Sequence, residues 1–183
     1  MQQVRPSRGF TLIEVMVVVA IIAIMVGAVV LRIDFNNIGK IVRDHSQRTR
    51  LLMELAADQA IYSRQQLGIR FHPNSYEFYI LSANEDGGGT WEIFEDDRLK
   101  YGDVKATIEY RVDIEGLPIV LEELEEELAA VTEDSPIKPH VLFLSNGEIM
   151  PDFRVVIADE DAEFEHAIFS GEVEPIVLEH INE

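Results

Sequence analysis

From Val15 to Leu31 the sequence holds 17 consecutive residues without a charge or a strongly polar side chain. Wound as a helix, this run is apolar on every side, unlike the one-faced stripe of a helix on a soluble protein's surface. At about 1.5 Å per residue, a helix over 10–31 is about 33 Å long, enough to cross a bilayer. Two fates fit such a segment. It is a cleaved secretory signal, with Arg5 and Arg8 as its basic start and Val26-Gly27-Ala28 as a small-residue cleavage site, or it is an anchor that stays. Glu14 would fall inside the apolar part of a signal peptide, which counts against the first fate. Positive-inside asymmetry puts Arg5 and Arg8 in the cytoplasm, with Arg32 on the other flank as a counterweight.

The rest of the chain is long enough for one ordinary domain, since the whole has 183 residues. An apolar fraction of 47% allows a real core. The net charge of −19, from 34 Asp and Glu against 15 Lys and Arg, repels phosphate backbones and anionic lipid surfaces. That excludes nucleic-acid binding as a function class. The absence of cysteine removes disulfides, thiolate nucleophiles and thiolate metal sites.

Glu14 is the anomaly in the apolar segment. A carboxylate near the bilayer centre costs roughly 2.5–3.5 kcal/mol on insertion scales. The stretch "RGFTLIEVMVVVAIIAI", residues 8–24, resembles the class III signal of type IV pilins and of the pseudopilins of type II secretion. The resemblance implies cleavage by a prepilin peptidase between Gly9 and Phe10, and N-methylation of the new amino terminus at Phe10. It also implies that the apolar segment anchors the subunit and later forms the core of a helical filament. On that reading the cationic amine of Phe10 lies one helical turn from Glu14. A carboxylate in an apolar filament core needs a partner. The amine of a neighbouring subunit would supply it and set the register between subunits. The simpler alternative is a carboxylate that only reaches back to the membrane interface.

Past the apolar run, Ile38, Ile41, Val42, Leu52, Leu55, Ala56 and Ala60 fall on one helical stripe, with Arg43, Arg48, Arg50, Glu54, Asp58 and Arg64 mainly outside it. This predicts an amphipathic helix over 32–66, packed against a sheet. "DFNNIG", residues 34–39, predicts a kink or local unwinding, because Asn36, Asn37 and Gly39 are poor helix formers. His45 on the stripe reads as a packed or solvated side chain rather than a ligand.

Beyond residue 66 the pattern turns to strands. "LGIRF" and "SYEFYIL" flank a turn at Pro73-Asn74. Residues 104–115 alternate: Val104, Ala106, Ile108, Tyr110, Val112 and Ile114 face one way and polar residues the other. "VLFLSNGEIMPDFRVVI" reads as two strands joined at Asn146-Gly147 in a type I′ turn. A last hairpin is expected around Gly171. The fold class is therefore α+β: a long N-terminal helix, membrane-spanning in its first half and amphipathic in its second, packed on antiparallel sheet. The domain plan is a leader at 1–9, a transmembrane helix at 10–31, an amphipathic helix at 32–66 and a β domain at 67–183.

Three pieces of the β domain, "LAADQAIYSRQQLGIRFHPNSYEFYIL", "TWEIFEDDRL" and "PHVLFLSNGEIMPDFRVVI", in that order, resemble the H-type minor pseudopilins of type II secretion. Residues 117–139 stand apart as an acidic insertion, bounded by Pro118 and Pro136. Leu121, Leu124, Leu128 and Val131 recur there at helical spacing among glutamates, which reads as a short amphipathic helix or a mobile acidic loop. It is either a solvated insertion or a contact to a basic patch on a neighbouring subunit.

Chemistry finds little purchase. His45, His72, His140, His166 and His180 form no ligand spacing, and no nucleophile elbow, phosphate loop or dinucleotide fingerprint occurs. Residues 84–90 lack the ligand order of an EF-hand, and Asp159 with Asp161 reads as a surface acidic turn before a calcium site. The reading is a non-enzymatic structural subunit with no cofactor and no metal. The resemblance implies a minor pseudopilin in the inner membrane, its C-terminal domain in the periplasm. Its partners would be the major pseudopilin, the other minor pseudopilins of the filament tip, and the prepilin peptidase that also methylates. The alternatives are a minor type IV pilin that primes pilus assembly, and a periplasmic binding module with an ordinary signal peptide.

Overall fold

The computed structural model describes residues 11–84, 88–100, 108–124, 137–171 and 173–182. The chain divides into two compact units, Met1–Asn37 and Ile38–Glu183. Helix α1 runs from Leu12 to Ser63 without a break, so the unwinding expected at 34–39 does not occur. Gly39 does have a packing role: a Cβ there would lie 2.7 Å from the Phe164 ring, so the glycine admits that ring against the helix. The helix ends in a Schellman motif. Gln65 N–H donates to Ala60 O at 3.2 Å and Arg64 N–H to Ile61 O, with Arg64 itself left-handed at φ 57.

In the second unit α1 presents one buried stripe: Val42, His45, Ser46, Thr49, Leu52, Met53, Ala56 and Ala60. Val42, His45, Leu52, Ala56 and Ala60 were read on the stripe from the sequence; Ser46, Thr49 and Met53 were not. Ser46 is tolerated inside because its hydroxyl donates to the Val42 carbonyl one turn back, at 2.7 Å. Ile38, Ile41 and Leu55 pack, half-buried, against the same core.

Among the described residues ten strands follow: β1 (Leu67–Phe71), β2 (Tyr76–Ala83), β3 (Gly89–Ile93), β4 (Ile108–Ile114), β5 (Leu117–Ile119), β6 (Val141–Phe143), β7 (Ile149–Met150), β8 (Phe153–Asp159), β9 (Glu165–Phe169) and β10 (Val177–Asn182). They form two antiparallel sheets, ordered β3-β2-β1-β6-β7 and β10-β9-β8-β4-β5. Ile69, Phe71, Phe78 and Phe143 of the first sheet join Ile108, Val112, Val155, Ile157 and Ile168 of the second in one core with the helix stripe. Strand β4 alternates as its sequence predicts, with Ile108, Tyr110 and Val112 buried and Glu109 and Arg111 exposed. The expected start of that strand, with Val104 and Ala106, lies outside the described residues.

Two corrections concern residues 141–159. The hairpin at Asn146-Gly147 exists, but its second strand is only the short β7. The Met150–Pro151 peptide is cis, and after it β8 pairs with β4 and β9 in the other sheet. The turn is also not type I′, because only Gly147 has positive φ, at 88. Gly147 N–H donates to Leu144 O at 2.9 Å, and Leu144 N–H to Glu148 O at 2.9 Å. This is a three-residue loop with the glycine in the left-handed position. Asn146 serves it with its side chain: Oδ1 accepts from Glu148 N–H at 3.0 Å. In the acidic insertion, 117–119 is strand β5, while residues 125–136, which would hold Leu128 and Val131, lie outside the described residues.

Candidate functional site

The N-terminal unit holds the residues that the sequence singles out. Gly9 and Phe10 lie outside the described residues, and Glu14 lies within them. Thr11 starts the helix. Its carbonyl accepts from Glu14 N–H at 3.1 Å and from Val15 N–H at 3.3 Å, and its Oγ1 accepts from Glu14 N–H at 3.3 Å. Thr11 is thus the N-cap and Glu14 the acidic third residue of the first turn, where the helix dipole favours a negative charge. The Thr-x-x-Glu spacing of a capping box carries this arrangement in the sequence. Among the described residues no cation pairs with Glu14.

Every residue from 11 to 25 is exposed. Leu12 is 80% exposed, Ile13 70% and Ile24 73%. Over 11–25 the described residues are exposed on every side of the helix, and a continuous apolar surface of this kind marks contact with lipid or with other protein. Among the described residues no helix is long and apolar enough to cross a membrane. The side chains of residues 26–37, which complete the apolar run, lie outside the description.

The histidines of the second unit serve the fold. The His45 ring meets the Tyr110 hydroxyl, Nε2 to Oη, at 2.5 Å, among Phe71, Tyr76 and Tyr110. The two groups share one hydrogen bond, whose direction is set by the imidazole tautomer. Burial first, then the nearby Arg48 cation, pushes the His45 pKa down to about 4. His140 accepts the Phe71 N–H on Nδ1 at 3.2 Å, and burial, with Arg70 and His72 nearby, lowers its pKa to about 3. His72 donates from Nδ1 to Glu122 O at 2.9 Å. His166 and His180 face each other across β9 and β10, ring centroids 4.3 Å apart. Asp159 closes the β8–β9 turn by accepting Phe164 N–H on Oδ1 at 2.8 Å, and Asp161 lies exposed in that turn. Among the described residues no three His, Asp or Glu side chains converge as a metal site.

Residues 4–30 match the family described as the prokaryotic N-terminal methylation motif. The chain is 29% identical over 161 residues to type II secretion system protein H of Pseudomonas aeruginosa, covering 87% of each chain. It is 28% identical to the protein of the same name in Escherichia coli, over 84% of this chain and 82% of that one. In structure it is similar to the minor pseudopilin EpsH of the Vibrio cholerae type 2 secretion system. That likeness has a TM-score of 0.56 at 18% identity, with 78% of this chain and 96% of the other covered. It establishes a shared fold: an N-terminal helix packed on antiparallel sheets.

Proposed function

We propose that this chain, a homologue of type II secretion system protein H, is a minor pseudopilin: a structural subunit that helps export folded proteins across the outer membrane. The observation that carries the reading is the uncovered apolar helix under a methylation motif, joined in one chain to a pseudopilin-type fold. The two alternatives, a minor type IV pilin and a binding module with an ordinary signal peptide, draw no support from these relatives.

The finer parts of the reading follow from chemistry. The apolar helix anchors the chain in the inner membrane by its span of 10–31, with the residues beyond in the periplasm. The prepilin peptidase cuts between Gly9 and Phe10 and methylates Phe10. Phe10 directly precedes Thr11 in the sequence, so Thr11 and Glu14 form the first turn of the mature chain. In a filament core the Glu14 carboxylate pairs with the amine of a neighbouring subunit, which fixes the axial register. The partners are the major pseudopilin and the other minor pseudopilins of the tip. The chain does no chemistry of its own.

Intact-mass measurement and N-terminal sequencing of membrane-extracted protein test this. The expected product starts at a methylated Phe10. A chain still starting at Met1, or one starting after Ala28, overturns the reading.

A further inference from the structure

In the folded unit a groove of about 350 Å3 lies between the last turns of α1, the β6–β7 hairpin and the turn at 174–176. Its apolar walls come from Ala57, Ile61, Ile149 and Ile176. Its charged lining is acidic: Glu54, Asp58 and Glu174 against Arg50 alone. Arg50 is already taken, with Nη2 at 2.9 Å from Glu54 Oε1. Among the described residues Asp58 and Glu174 have no cationic partner. Glu54 and Asp58 also sit one helical turn apart, a like-charge spacing that disfavours the helix unless a cation lies near it.

The apolar surface continues along the same face of α1. Leu51 is 60% exposed, Ile61 47% and Tyr62 89%, and the acidic pair Glu54 and Asp58 lies among them. The helix therefore presents apolar side chains interleaved with carboxylates, beside a groove sized to receive side chains rather than a whole element.

We propose that this groove docks an amphipathic helical segment of a partner protein, one that presents Lys or Arg beside Leu-sized apolar side chains. Charge selects the occupant. A second copy of this chain brings a net charge of −19 to a rim that is already acidic, and an anionic lipid surface does the same. A cationic helix neutralises Asp58 and Glu174 and buries its apolar face on Ile61 and Ile149. The inference does not rest on the filament reading, because it needs only the groove and its charges.

The test uses the full chain in zwitterionic nanodiscs, with empty nanodiscs as the blank, and a fluorescent helical peptide of Leu and Lys. A second peptide carries Glu in place of every Lys. The Leu/Lys peptide is expected to bind and the Leu/Glu peptide not to. Ile61→Asp and Asp58→Lys should each weaken binding by roughly tenfold. Glu160→Lys, an exposed position on the β8–β9 turn, should change it less than about twofold, because rim charges far from a contact matter little. Equal weakening by Glu160→Lys means diffuse attraction to an acidic protein and overturns the proposal. So does unchanged binding in Ile61→Asp. Dimerisation of the chain that Ile61→Asp abolishes assigns the groove to a second copy and overturns it as well.

Discussion

Glu14 has one role in the single subunit and a second that we propose for assembly. In the single subunit it closes the first helical turn onto Thr11 and faces the favourable end of the helix dipole. In the proposed filament it would be the one carboxylate of an otherwise apolar packing surface. Glu14→Val removes a charge from lipid, so membrane insertion and cleavage after Gly9 should persist, while incorporation beside the major pseudopilin should fall. Cross-linking in membranes checks this, with secretion measured in parallel; loss of insertion or cleavage would place the role of Glu14 before assembly. A smaller effect belongs to Arg64, an exposed residue held left-handed to complete the helix stop. Glycine adopts that conformation without the Cβ clash. Arg64→Gly should therefore stabilise the chain by roughly 0.5–1 kcal/mol, read as a shift of the denaturation midpoint.

Among the elements, the interior strands carried the clearest signal, while of the edges β10 was read as part of the last hairpin. Strand β1 was read to its ends, because Leu67, Ile69 and Phe71 are fully buried and a Pro-Asn turn closes it. Strand β4 announced itself by strict alternation. The strands that escaped, β3 and β5, are sheet edges, as is the two-residue β7. Edges are kept short and polar to discourage further pairing, and β5 includes Pro118, which cannot donate to a ladder. Their sequences thus lack the signal that burial writes into interior strands. The turn at Asn146-Gly147 shows a second limit. The dipeptide fixed the place of the hairpin, but Asn146 contributes its side-chain oxygen rather than positive φ. Gly147 still needs its left-handed backbone, with Ile61 Cδ1 3.5 Å from where a Cβ would be. Gly147→Val should cost on the order of 1–3 kcal/mol, seen as a lower melting temperature, while Asn146→Asp should lower it less, because it keeps the acceptor for Glu148 N–H but sets a second carboxylate against Glu148 Oε2, 3.3 Å from Nδ2.

At the scale of the whole molecule, the division of strands between two sheets was not legible. Two residues separate β7 from β8, yet they lie in different sheets. Local pattern records which face of a strand is buried and is silent on its partner. The buried histidines give the folded chain a pH dependence that follows from the same core. His45 and His140 titrate at about 4 and about 3 when folded, against about 6.5 when unfolded. The unfolded chain binds more protons between these values, so their stabilisation is complete above about pH 7 and is lost as pH falls toward 4. Glu77, raised by burial, works in the opposite direction. Chemical denaturation between pH 7 and 4 checks the slope, and His45→Leu should flatten it.

The central claim is that the apolar helix is kept, and that its uncovered surface packs in a filament. The chain has no native cysteine, so a single Val17→Cys substitution gives a unique thiol on that surface. The most direct measurement is cysteine cross-linking, in membranes that assemble the pseudopilus, to a cysteine in the N-terminal helix of the major pseudopilin. A cross-linked pair in which this chain begins at Phe10, and which disappears when Gly9→Leu blocks cleavage, is the predicted result. A mature chain that has lost the helix, or a helix that stays unlinked in those membranes, would contradict the account.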